Sequence, residues 1–304
     1  MNLPTVSIII LNWNGLEDTI ECLESLKKVT YPDYEAIVVD NASDGNDAQV
    51  LKERFGGYIQ VIQNDKNHGC GEGYNIGIRY VLANSQPDYI MIMNNDVVVA
   101  PDFLDELIKV AEGDEQIGIV GPKIYYYDYK GRKDVIWSAG GRMQWWSLRI
   151  HRHIGEGDDD LPRYQNVTSG DWITGAVLMF RSCLTEKVGL LNPWYFIGYE
   201  DVEFCLKARK QGFKIVYVPA AKVWHKVGAS VKKADIIFPG PASHYYLITS
   251  CYPLYARIYH LLLLPALLFR WALLYLMKRR DINTLRRFFS DFARLVLQRS
   301  RQGP

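Results

Sequence analysis

Three places in the sequence put carboxylates or an imidazole where they could do chemistry. The first is Asn94-Asn95-Asp96, which interrupts the apolar run Met91-Ile92-Met93 before Val97-Val98-Val99 resumes. That pattern predicts a buried strand whose C-terminal end delivers Asn94 and Asp96 to one place. Ligands of open α/β sheets sit at such strand ends. A carboxylate there, two residues after an amide, suits a hard divalent cation carrying phosphates. The plainer alternative is an Asn/Asp turn that only ends a strand. The second place is Glu200-Asp201, just ahead of an amphipathic helix over Val202–Gln211 that stops at Gly212. Acidic residues there also have a mundane use in capping and in opposing the helix dipole. The third is His225, closing the short apolar run from Ala221, where a structural histidine is commoner than a ligand. The acidic Asp158-Asp159-Asp160 reads as a solvated loop, because no strand or helix fixes it.

Regular elements must position these groups. A strand over Val6–Leu11 precedes the polar loop Asn12-Trp13-Asn14-Gly15. A helix over Glu17–Lys27 follows, with Ile20, Leu23 and Leu26 on one face. A second strand, Glu35–Asp40, ends in Asn41-Ala42-Ser43-Asp44-Gly45. A third, near Tyr58–Gln63, leads into a loop running from Asn64 to Gly73, and a helix covers about Tyr74–Ala83. Strand and helix alternating at this rhythm predict a parallel sheet with crossover helices. Three polar strand ends would then share one rim, which is the layout of a nucleotide site. It is not a dinucleotide fingerprint, since the glycines Gly69, Gly71, Gly73 and Gly77 follow the third strand and not the first. No phosphate-binding GxxxxGK[ST] loop occurs, and the first loop lacks the glycine-rich basic character of a nucleotidyltransferase. Between Pro101 and Gln165 the pattern weakens: a helix over Asp102–Ala111, a strand over Ile117–Val120, then Tyr125, Tyr126, Tyr127, Trp137, Trp145 and Trp146 in loops. Asp171–Phe180 reads as a β-rich run, Phe213–Val218 as a strand and Ala221–His225 as another.

The 304 residues are 48% hydrophobic and 23% charged, enough for one large α/β domain with an appendage. Net charge is +1, yet nine basic residues from Arg270 onward face only Asp281 and Asp291, so the preceding body is acidic. A basic tail on an acidic body points to an anionic surface and not to nucleic acid. Five scattered cysteines without CxxC spacing argue against a disulfide framework or zinc site. No signal peptide is visible, so the body is expected to face the cytoplasm. Leu261–Met277 is a 17-residue apolar run containing Pro265 and Arg270, short of the ~20 residues of a clean membrane span. Tyr252, Tyr255, Tyr259, Trp271 and Tyr275 give it interfacial aromatic content. After Lys278-Arg279-Arg280, Phe288, Phe289, Phe292, Leu295 and Val296 alternate with Arg286, Arg287, Arg294 and Arg299. This reads as interfacial helices on an anionic leaflet; a spanning segment and self-association into a homo-oligomer stay open.

Together these residues resemble the family 2 glycosyltransferases of GT-A fold, in particular the rhamnosyltransferase-like branch. The resemblance runs from Val6 to about Ser230. Val6–Gly15 looks like the family's first strand and nucleotide loop, and Val38–Ser43 like its second. Asn67–Gly77 is similar to the glycine-rich segment beside the diphosphate. Asn94-Asn95-Asp96 falls at the DxD motif, Gly198–Cys205 at the acceptor-side segment and Pro219–His225 at the closing one. It departs in having Asn94 for the first DxD aspartate, Glu203 for an aspartate, Asn192-Pro193 for Asp-Glu and Ser250-Cys251 for Arg-Asn. The resemblance implies a Rossmann-like mixed sheet flanked by helices in a GT-A domain at 1–235, with a nucleotide-sugar half at 1–100 and an acceptor half at 101–235. A helical membrane-associating region at 236–304 completes the chain. It implies inverting transfer from a nucleotide-diphosphate sugar to a glycan or polyprenyl-linked acceptor, on the cytoplasmic face of a membrane. Asp201 would be the catalytic base. Asn12, Asn14, Asp40, Asn67, Gly69, Asn75 and Asn95 would bind the donor. Asp96 and His225 would hold Mn2+ or Mg2+, and Glu200 and Trp172 would bind the acceptor. The competing expectation is a catalytically inactive nucleotide- or glycan-binding module.

Overall fold

Runs of aliphatic and β-branched residues become strands buried on both faces, as parallel sheets covered by helices require. The structure, a computed structural model, describes residues 3–147, 151–227 and 241–279. In order they are β1 (Val6–Asn12), α1 (Leu16–Leu26), β2 (Tyr34–Asp40), α2 (Asp47–Phe55), β3 (Ile59–Gln63), α3 (Gly69–Asn84), β4 (Tyr89–Asn94), β5 (Val97–Val99), α4 (Phe103–Ala111), β6 (Ile117–Tyr126), β7 (Ile136–Ser138), β8 (Gly141–Met143), β9 (His151–His153), β10 (Thr168–Ser169), β11 (Val177–Arg181), α5 (Leu184–Val188), α6 (Glu200–Lys210), β12 (Lys214–His225), α7 (Pro241–Cys251) and α8 (Leu254–Arg279). The main sheet runs β10-β12-β6-β11-β4-β1-β2-β3. β1 to β4 are parallel, whereas β11 lies antiparallel between β4 and β6, so the sheet is mixed. β5 leaves the rim to pair antiparallel with the end of β12.

The chain divides into two compact units, Met1–Met143 with His151–Ile236, and Gln144–Ile150 with Ile237–Pro304. The first carries the sheet. The second carries α7 and α8, with Leu247, Ile248, Tyr252, Ala256, His260 and Leu267 buried. No described helix is long and apolar enough to cross a membrane. The expected amphipathic helix after Lys278-Arg279-Arg280 and the domain boundary at 235 lie outside the described residues.

Five expectations change. The glycine segment is not a loop leading to a helix at Tyr74: α3 already begins at Gly69. Glycines are poor helix formers, by ~1 kcal/mol each against alanine, but here they let α3 lie close on the sheet. A Cβ at Gly77 would stand 2.5 Å from Ile9 Cγ2, and one at Gly73 2.7 Å from Leu11 Cδ1. Asp171–Phe180 is not one strand, because the chain turns at Thr174-Gly175 and only Val177–Arg181 enters the sheet. Phe213–Val218 and Ala221–His225 belong to one strand, β12, whose register slips between Val218 and Lys222. Asp158, Asp159 and Asp160 are not merely solvated. They pair with Arg163, Arg132 and the fully buried Lys123 respectively. The longer β6 also takes Tyr125 and Tyr126 out of loops.

Candidate active site

Register builds the rim. Parallel pairing sets Asn12 opposite Asp40 and Leu11 opposite Asn94, so three polar strand ends stand side by side. Asn12 is buried and its amide is fully engaged. It donates to Asp40 Oδ1 (2.8 Å), Asp47 Oδ2 (3.0 Å) and Ser43 Oγ (3.2 Å), and accepts from Thr19 Oγ1 (2.9 Å) and Asn95 Nδ2 (3.1 Å). Asn95 donates also to Thr19 Oγ1 and to the Gly15 carbonyl. A Cβ at Gly15 would meet its Nδ2 at 2.2 Å, so the loop closes only around glycine. Asn12 and Asn95 therefore brace the rim from beneath. Asp40 accepts from Ser43 Oγ (2.6 Å), while Asn14 exchanges two hydrogen bonds with Asp44.

Asn67 and Asn75 brace as well. Asn67 Oδ1 accepts from Asn41 Nδ2 and from the amide of Gly69, which has φ +79° and backs onto the Phe196 carbonyl. Asn75 clasps the backbone of Leu191, donating to its carbonyl (2.8 Å) and accepting from its amide (3.0 Å). It thereby ties α3 to the segment leading into α6. Trp172 does not present a ring to an acceptor. It is buried against His151, His153 and Gly141, where a Cβ would stand 2.0 Å from the indole, and so fills the wall behind α6.

The antiparallel pairing of Val97 with His225 brings Asp96 and His225 together. Both are buried, with Nε2 3.0 Å from Oδ1. No hydrogen bond aligns on that oxygen, nor on Nδ1, the other ring nitrogen of His225, so each member of the pair keeps one buried polar atom unsatisfied. Such atoms are costly unless something else completes them, and an oxygen and an imidazole nitrogen are an acceptable donor pair for a divalent cation. Among the described residues no group of three or more metal-binding side chains occurs, so any such ion needs further oxygens from its ligand. Trp137 packs edge-on against His225 at 4.5 Å. Asn94 Oδ1 is occupied by the Tyr74 hydroxyl at 2.9 Å.

Glu200 and Asp201 occupy the first turn of α6, entered through the left-handed Tyr199 (φ +80°). Asp201 Oδ2 accepts from the Gly175 amide (2.6 Å) and Oδ1 from the Val202 amide (2.7 Å). Glu200 Oε2 is buried without a partner. Burial raises both carboxyls. Glu200 is pushed up to about 8, by burial first and then by the Asp201 charge. In Asp201 burial is opposed by the two amide donors. The Asp201 charge is part of what raises Glu200, so Glu200 keeps its proton at neutral pH and is the stronger proton holder of the two, the kind of division that separates an acid from a base. Burial first, then the neighbouring Cys70 and the carboxyl groups of Glu200, Asp96 and Asp201, hold the Tyr74 hydroxyl far above its usual range. The same three carboxylates act on the Cys70 thiol, so these two side chains lie where metal end and acceptor end converge. Neither Tyr74 nor Cys70 was singled out by sequence, and only their place in the glycine segment hints at them.

A raised carboxyl stabilises the fold below its unfolded value near 4.5, and that contribution is lost as pH rises through about 8. Glu200→Gln keeps the shape and removes the titration. It is expected to raise the melting temperature by several degrees at pH 8 and hardly at pH 5; equal shifts at both would show that Glu200 is already ionised in the folded chain.

A model of glycosyl transferase family 2 matches residues 7–165, and one of glycosyl transferase family group 2 matches 89–280. The chain is 26% identical to dTDP-rhamnosyl transferase RfbF of Shigella flexneri, covering 71% of this chain and 69% of that one. It is also 26% identical to the N-acetylglucosaminyl-diphospho-decaprenol L-rhamnosyltransferase of Mycobacterium tuberculosis, covering 80% of each. It spans 25% and 64% of the length of two other curated relatives. The crystal structure of GalNAc-T7 with UDP, GalNAc and Mn2+ superposes with a TM-score of 0.62 at 20% identity, over 74% of this chain and 44% of that one. That likeness establishes a GT-A type fold, with the mixed sheet flanked by helices.

Proposed function

Since the chain belongs to glycosyl transferase family 2, we propose that it moves a sugar from a nucleotide diphosphate to a hydroxyl of a glycan or lipid-linked acceptor, inverting the anomeric carbon. The product would feed cell-surface polysaccharide. The observation that carries this reading is a pair of sites: Asp96 facing His225 at 3.0 Å, and Asp201, held by the Gly175 and Val202 amides, beside the buried Glu200. The printed names of the relatives make dTDP-rhamnose the first donor to try and a polyprenyl-diphosphate glycan the first acceptor. The inactive-module alternative loses ground because Asp96, His225 and Asp201 are all present and converge.

Two charges must be managed in such a transfer. Asp96 and His225 would hold Mn2+ or Mg2+ against the donor phosphates, where the ion neutralises the charge of the departing diphosphate. Asp40 and Asn14 at the strand ends, with Gly69 at the head of α3, frame the nucleotide side. The remaining asparagines keep that frame rigid. Asp201 takes the proton of the attacking hydroxyl, with its lone pairs pre-aimed by the Gly175 and Val202 amides. Neutral Glu200 donates a hydrogen bond to the acceptor and fixes its approach. The acceptor would be reached at an anionic membrane surface on the cytoplasmic side, through the C-terminal region.

A thermal-shift screen of dTDP-, UDP- and GDP-sugars with and without Mn2+ tests the donor site. One nucleotide sugar is expected to raise the melting temperature by several degrees, only with the ion, since saturation at 100 times Kd is worth about 2.7 kcal/mol. No stabilisation by any of them would remove the transferase reading.

A further inference from the structure

In the C-terminal unit, α8 is apolar on both sides. One side is buried, through Ala256, His260 and Leu267. On the other, Leu254, Tyr255, Ile258, Leu262 and Phe269 are 50% to 76% exposed. Leu254, Ile258 and Leu262 follow one another at four-residue intervals, so they form a stripe along one helix face. Single exposed apolar residues need no explanation, but a contiguous stripe marks a contact surface.

A distant segment joins this stripe. Gln144–Ile150 belongs to the same unit. The Trp145 ring packs against Tyr255 (5.5 Å) and Tyr259 (6.2 Å), the Tyr259 hydroxyl donates to the Trp146 carbonyl (2.9 Å), and the His260 ring meets the Trp145 carbonyl. The Trp146 side chain is left 56% exposed beside the head of the stripe. An indole and a phenol at one end of an apolar face are what the headgroup region of a bilayer favours.

Charge selects the partner. From Pro241 to Arg279 the sequence contains no aspartate or glutamate, but it has Arg257, Arg270, Lys278 and Arg279. A second copy would bring the same sign of charge to the contact and be repelled, whereas an anionic surface is attracted. No described helix is long and apolar enough to cross a membrane, and a helix with an exposed apolar face and basic residues suits the interface plane. We propose that the outer face of α8, with Trp146, is a docking surface for a bilayer of anionic lipids; this deepens the reading of a lipid-linked acceptor and names the residues that meet the lipid.

The test is flotation of the full chain with vesicles of phosphatidylcholine alone and with about a third phosphatidylglycerol. Binding is expected to the anionic vesicles, weakened by salt, and reduced at least about fivefold by Trp146→Ser and by Ile258→Ser with Leu262→Ser. Transfer to a water-soluble acceptor should be unchanged in both variants. Wild-type flotation by the variants, or no flotation of the wild-type chain, overturns the proposal. So does conversion of a dimer to monomers by Ile258→Ser with Leu262→Ser, which would make the face a self-association surface. Intact flotation without transfer to any acceptor would instead sink the transferase reading and leave the docking surface standing.

Discussion

Asp201→Asn is expected to lower turnover by about 10²–10⁴-fold while leaving the Kd for the nucleotide sugar nearly unchanged. The Asp201 carboxyl is held by two backbone amides at 2.6 and 2.7 Å, which oppose the upward push of burial. An amide of the same shape cannot take a proton from the acceptor hydroxyl. It also forfeits one of those two hydrogen bonds, which costs ~1–3 kcal/mol of stability, so the melting temperature must be measured beside the rate. The donor side of the rim is built from other strands and should not register the change. A loss of donor affinity equal to the loss of turnover would mean that Asp201 holds the metal or the fold.

Asp96→Ala carries the second large effect. Its Oδ1 faces His225 Nε2 at 3.0 Å without an aligned hydrogen bond, and both groups are buried. Removing the carboxylate should weaken donor binding in Mn2+ on the order of 10²-fold, and change it little in chelator, if a cation links Asp96 to the phosphates. Calorimetric titration of the donor under both conditions reads the difference. His225→Ala should repeat the pattern with a smaller loss. A chain that transfers sugar at full rate in chelator, with or without Asp96, would dispose of the metal role.

The parts of this site that could be read from sequence are those marked by abrupt changes of residue type. Asn12, Asp40 and Asn94–Asp96 each end an apolar run, and a strand period announces where such runs stop. The same is true of His225. What could not be read depends on contacts between distant segments. Gly69–Gly73 reads as the end of a loop because glycine disfavours helix, whereas its backbone needs to approach Phe196, Asn192 and Leu11. Asp171–Phe180 had strand composition, but Gly175 turns its amide toward Asp201. Asn12, Asn67, Asn75 and Asn95 were recognisable as polar residues at the right places. That their amides are spent on the protein, bracing loops and not reaching outward, follows only from partners tens of residues away. The family resemblance sets Trp172 on the acceptor side, but the close approach of Gly141 and the two histidines buries its ring.

The family's departures also acquire a physical context. Asn94, which the resemblance sets at the first position of the DxD motif, accepts from Tyr74, a hydroxyl that also feels Asp96, Glu200 and Asp201. A carboxylate there would add a further negative charge to a buried acidic cluster, which an amide avoids. Asn192 donates to both oxygens of Glu203, so the two substitutions meet as one hydrogen-bonded pair at the foot of the segment that carries Glu200 and Asp201.

The measurement closest to the central claim is release of nucleoside diphosphate from a nucleotide sugar in Mn2+, with and without an acceptor hydroxyl, by the wild-type chain and by Asp201→Asn. Release is expected to rise with acceptor in the wild type and not to rise in the variant. Acceptor-driven release of equal size in both would contradict the assignment of Asp201 as the base.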